Sequence, residues 1–177
     1  MRWMHSIQFR QVAHSECRGQ KKSVTMTQIN IIKLLTFLGI VPFFLSPFAV
    51  VFSETLPLHV AQKWTISYGA IIISFISGSH WSLVQSSRGE PKPVILFESN
   101  FIALVAWLTL FLGTIYSICV LLLCFAYLLS IEKRFCRDNN VPSWYFKLRV
   151  QVTTLVCILL VSNIFLYVVS DLSSSKI

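Results

Sequence analysis

Between Val94 and Ile131 the chain carries one charged residue, Glu98. A straight α-helix over that stretch would be about 57 Å long, nearly twice the hydrocarbon thickness of a bilayer. The segment is too apolar for water and too long for a single crossing, so it must fold back on itself. The break is predicted at Leu112-Gly113-Thr114, which gives two spans over 94–112 and 115–131 joined by a tight hairpin. Three further blocks have spanning length. The first, 30–52, contains Pro42 and Pro47, which are tolerated in membrane helices where neighbours satisfy the freed carbonyls. Lys33, near its start, can snorkel to the headgroups. The others are 64–84 and 149–169.

Composition supports this reading. Of 177 residues, 55% are hydrophobic and 12% are charged, with a mean hydropathy of +0.69. A soluble domain carries about 25% charged residues, and a chain this short has too little interior to hide so much apolar surface. Disordered chains are charge-rich and apolar-poor, the opposite balance. The expected fold class is an all-α integral membrane bundle of five transmembrane helices. Residues 1–29 are expected to form a basic tail without fixed structure and 171–177 a short outer tail.

The basic residues set the orientation. Thirteen of the fifteen lie in the tail and at the start of the first span, between spans two and three (Arg88, Lys92), or between spans four and five (Lys133, Arg134, Arg137, Lys147, Arg149). Lys63 and Lys176 are left on the other side. The positive-inside rule then places the N-terminus in the cytoplasm or a mitochondrial matrix and the C-terminus outside. The net charge of +8 is a topological signal, and nucleic acid is not an expected partner.

The five cysteines form no CxxC pair. Cys119, Cys124 and Cys157 fall within spans, where cysteine acts as a small hydrophobe. Cys17 and Cys136 fall on the reducing side. No disulfide framework, metal site or cofactor is implied. The tail has no apolar signal-peptide core.

Chemistry concentrates in the second span, AIIISFISGSHWS over 70–82. Ala70, Ser74 and Gly78 recur every four residues and predict a small-residue seam for close helix packing. His80 lies about one turn from the cytoplasmic end of that span. Glu98 is at similar depth in the third span, and Arg149 opens the fifth from the same side. An isolated charge at membrane depth costs about 2.5–3.5 kcal/mol on insertion scales, so the three are expected to meet and pair. That predicts either a polar ligand site or a structural clamp. Trp64 and Trp144 read as belt residues at the interfaces, whereas Trp81 and Trp107 are candidates to line a pocket. No nucleophile–base–orienter triad, phosphate-cradling glycine loop or bis-histidine haem site can be assembled, so an enzyme is not expected.

The blocks LGIVPF, YGAIIISFISGSHW, ALVAW and VPSWYFKLRVQVT resemble a family of small five-helix membrane proteins, domain of unknown function 3429 (transmembrane protein 69-like). The resemblance covers roughly residues 34–165. It carries over Gly39, Pro42, Tyr68, Gly69, Ser74, Gly78, His80, Trp81, Trp107, Pro142, Trp144, Tyr145, Leu148, Arg149 and Thr153 as motif positions. Before ALVAW this chain has Glu98-Ser99-Asn100 where a Pro-Ser step is usual, so Glu98 is not carried over. The resemblance implies fold and topology, and the family brings no activity.

The expected function is a non-enzymatic multi-pass protein that binds a small ligand or lipid, or supports a membrane complex. The candidate site comprises His80, Trp81, Glu98, Trp107, Trp144, Tyr145 and Arg149. The alternatives are a small proton-coupled transporter and a tetrapyrrole or sterol binder like the tryptophan-rich sensory proteins. Expected partners are membrane lipid and a second copy of the chain or a membrane complex. The expected location is a bacterial inner membrane, with the mitochondrial inner membrane as the alternative.

Overall fold

The computed structural model describes residues 26–52, 57–86, 93–138 and 142–174. Apart from short breaks, the described residues are helical, in the order α1 (Met26–Leu38), α2 (Val41–Phe52), α3 (Leu58–Ser86), α4 (Pro93–Leu108), a 3-10 turn (Thr109–Phe111), α5 (Thr114–Asp138) and α6 (Ser143–Ser174). Two compact units divide between Leu35 and Thr36. In the first, α1 begins at Met26, inside the segment expected to be tail, with Ile31, Leu34 and Leu35 exposed. The second holds the helix bundle. The expected outer tail likewise begins inside α6, which continues to Ser174. The basic residues of 1–25, with Cys17, and the loop residues Arg88 and Lys92 lie outside the described residues.

Four segments are long and apolar enough to cross a membrane: Met26–Leu45, Pro93–Phe111, Thr114–Arg137 and Ser143–Ser170. The fifth predicted span, α3, has 29 residues, about 43 Å of helix, but more polar residues than its neighbours. Four of those residues point inward. Gln62, Thr65, Ser77 and His80 are buried, whereas Trp64, Ile71 and Phe75 are exposed. α3 packs against α2, α4, α5 and α6, so it is the central helix and keeps these four polar groups among protein neighbours. The bundle surface is apolar elsewhere too, with Phe97, Phe101, Leu123 and Phe165 exposed, as lipid contact requires.

The hairpin break falls where the sequence placed it. The 3-10 turn ends at Phe111, and α5 starts at Thr114. The Thr109 carbonyl accepts the Leu112 N–H that closes the turn, at 3.2 Å, and also the Ser117 hydroxyl, at 2.6 Å.

The first predicted span departs from expectation, because two helices replace one. Pro42 has no N–H to give, and its ring crowds the carbonyl of Leu38, so α1 stops at Leu38. Phe43 N then donates 2.9 Å to Ile40 O instead of to Gly39 O. The freed Gly39 carbonyl is taken by the Tyr68 hydroxyl of α3 at 2.9 Å. Phe43, wholly buried, packs edge-on against Tyr68 and Phe125, with centroids 5.1 and 6.3 Å apart. Gly69 makes room for this packing, since a Cβ there would stand 3.0 Å from Leu121 Cδ1 and 3.7 Å from Phe43 Cε1.

The small-residue seam also needs correction. Ala70 is buried, but Ser74 and Gly78 are exposed, and a Cβ on Gly78 would meet nothing within 4 Å. Residues four apart advance about 40° around an α-helix beyond a full turn, so the row rotates out of the core after its first member. The close approach occurs at Gly69.

Candidate functional site

The polar interior is built where four helices end on one side of the bundle. His80 lies near the C-terminus of α3, Ser99 near the start of α4, Glu132 in the last two turns of α5 and Arg149 in the second turn of α6. Each of the first three lies on its helix's buried stripe. On α5 that stripe is Leu121, Phe125, Leu128, Glu132 and Phe135, all buried, at alternating spacings of four and three that keep one face inward. On α4 it is Ser99, Ile102 and Ala106, continued by Thr109 of the 3-10 turn.

Glu132 is 1% exposed. Arg149 Nε donates to both of its carboxylate oxygens, at 3.0 Å to Oε1 and 2.8 Å to Oε2. His80, also 1% exposed, places Nε2 3.6 Å from Glu132 Oε1. Its other nitrogen, Nδ1, lies 2.7 Å from Ser99 Oγ. The Ser99 hydroxyl donates 2.7 Å to the Ile95 carbonyl, which can only accept. Since a serine hydroxyl has one proton, both contacts are satisfied when Nδ1–H donates to Ser99. Nε2 then faces the carboxylate at a separation too long for a direct hydrogen bond. Among the described residues, His80 Nε2 and the buried Ser77 Oγ, three positions earlier on α3, have no hydrogen-bond partner.

The structure therefore brings His80 and Arg149 to one carboxylate, and that carboxylate is Glu132, not Glu98. Glu98 is half-buried on α4, and among the described residues it makes no hydrogen bond or ion pair with this group. Tyr145 precedes Arg149 by one turn, on the same side of α6, and stacks edge-on with the half-buried Trp144 at 6.1 Å. Trp81 and Trp107 do not line an interior pocket. They are 44% and 52% exposed, and Trp107 pairs with Phe111 at the opposite end of α4. Among the described residues no three His, Cys, Asp or Glu side chains gather into a metal-binding group.

The sequence reading does not include Glu132, Ser99 or Ser77. A fourth span that ends at Ile131 leaves the next residue in a loop. The periodic stripe through Leu121, Phe125 and Leu128 was the available signal, because it continues through Glu132 to Phe135 without changing face. Serine is too common in spans for Ser99 or Ser77 to stand out.

A bundle of apolar helices around a buried guanidinium–carboxylate–imidazole group defines a polytopic all-α membrane protein with a polar centre toward one membrane face. The chain belongs to the family described as Protein of unknown function (DUF3429), whose model matches residues 29–165. It is 26% identical over 128 residues to Transmembrane protein 69 of Xenopus tropicalis, an alignment covering 71% of this chain and 50% of that relative. The chain thus spans about half the length of the curated relative it matches. No solved structure matches it significantly.

Proposed function

We propose that the protein is a non-enzymatic multi-pass membrane protein that holds a small protic ligand at the His80–Glu132–Arg149 centre. The carrying observation is His80 Nε2, a fully buried nitrogen with no hydrogen-bond partner among the described residues, aimed at a carboxylate 3.6 Å away. A buried polar atom left unmade costs about 1–3 kcal/mol, and a proton-bearing group that donates to both, or bridges them, removes that cost. The near-total burial of the centre favours a small ligand over a planar tetrapyrrole, and the outward exposure of Trp81 and Trp107 favours the same choice. The bilayer we assign is an inner membrane. An animal relative and the acid-poor basic segment 1–25 favour the mitochondrial one.

Native mass spectrometry of the full chain from mild detergent tests this reading. The wild type should retain a small-molecule adduct distinct from lipid, and His80→Leu should lose it without losing its thermal transition. Wild-type protein free of any such adduct would count against the reading. The same imidazole–carboxylate pair is also what the proton-coupled alternative requires. That alternative would gain if vesicles containing wild-type protein dissipated a pH gradient while vesicles containing His80→Leu did not.

A further inference from the structure

A second site lies outside the buried centre, in a cleft of about 590 Å³ between the end of α5 and the start of α6. Lys133, Arg134 and Arg137 line it from α5, and Ser143 and Phe146 line it from α6. Cys136 is also in its wall. Among the described residues no acidic side chain lines it. Glu132, the acid next to Lys133 in the sequence, is turned into the bundle and paired with Arg149. Lys133 and Arg134 are exposed and bring positive charge to the cleft.

We propose that this cleft binds the phosphate headgroup of an anionic phospholipid. Its depth in the molecule selects lipid. The apolar spans end at Arg137 and begin at Ser143, so the cleft opens at the level where headgroups lie. Basic side chains at that level attract anionic lipid at about 1 kcal/mol each. Phe146 offers the glycerol and upper acyl chain an apolar wall beside the cations, and the volume falls in the range of small-molecule sites. The basic asymmetry of the sequence puts this face toward the cytoplasm or matrix. The inference does not depend on the buried centre holding a ligand.

The test uses the full chain in phosphatidylcholine nanodiscs with and without phosphatidylglycerol, with Cys136 retained as the only cysteine. Native mass spectrometry after detergent extraction should show phosphatidylglycerol held in preference to phosphatidylcholine. Lys133→Gln combined with Arg134→Gln should lower that retention about 30-fold, from two contributions of about 1 kcal/mol at 1.4 kcal/mol per tenfold. Lys63→Gln, a cation near the opposite end of the bundle, should leave it unchanged. Both cleft positions are exposed, so the double variant should keep the wild-type unfolding midpoint. As an independent readout in the unsubstituted cleft, phosphatidylglycerol should slow maleimide modification of Cys136. Equal retention of the two lipids, or of phosphatidylglycerol by the double variant, would overturn the proposal. So would equal protection of Cys136 by inorganic phosphate in lipid-free detergent, because the occupant would then be a free anion.

Discussion

A carboxylate as deeply buried as that of Glu132 loses several kcal/mol of hydration, and only a well-placed cation makes its burial tolerable. Arg149 is that cation, donating from one nitrogen to both oxygens. Removing one partner of a buried pair is worse than removing both, because an uncompensated charge remains. Arg149→Ala should therefore lower stability by about 3–5 kcal/mol. Adding Glu132→Leu to it should recover most of that loss, and thermal unfolding of the two variants in the same detergent measures the recovery. If the double variant unfolds at least as readily as the single one, the ion pair is not what Arg149 contributes. His80 and Arg149 were legible as chemistry from the sequence, because an ionisable residue within a span must find a partner. The identity of the partner was not legible. Glu132 enters the bundle because the helix continues past Ile131 to Asp138, and helix ends are where local sequence is least decisive.

At the level of the elements, glycine and proline separate into those that terminate helices and those that admit a neighbour. The break before α5 was legible because no single helix could fit its segment into a bilayer. The break between α1 and α2 was not, although Pro42 was in plain view. A membrane helix can absorb a proline when something distant satisfies the freed carbonyl, and here that something is Tyr68, 29 residues away in the chain. The same contact region sets the tightest approach in the bundle. Gly69→Leu should crowd Leu121 and Phe43 and cost about 1–3 kcal/mol, the usual range for overpacking. Gly78→Leu faces open space and should leave the monomer's unfolding midpoint near that of the wild type. Equal destabilisation by the two would restore the four-residue seam as a packing surface.

For the whole molecule, the last crossing and its direction can be tested together. Five crossings with the basic face inward require Arg137 and Ser174 to lie on opposite sides of the membrane. With all native cysteines removed, Arg137→Cys should react with an impermeant maleimide only from the cytoplasmic or matrix side, and Ser174→Cys only from the other. Labelling of both from one side would mean that α6, the helix between them, does not cross. The composition of α3 alone does not mark it as a span. Gln62, Thr65, Ser77 and His80 are turned inward, and only the packing reveals that.

The sequence by itself determined the solvent, the helical class, four apolar blocks, the Gly113 hairpin and the charge asymmetry. Each of these depends on hydrophobicity summed over many residues or on where charge lies along the chain, and such sums need no knowledge of neighbours. The tertiary structure alone decided that α1 ends at Leu38, that Gly69 rather than Gly78 admits a close contact, and that His80, Ser99, Glu132 and Arg149 form one group. Each of these depends on which side chains from different helices come within 4 Å, and that is fixed by rotation about helix axes. At 100° per residue, an error of one residue in a helix boundary or face turns a side chain from the interior to the lipid.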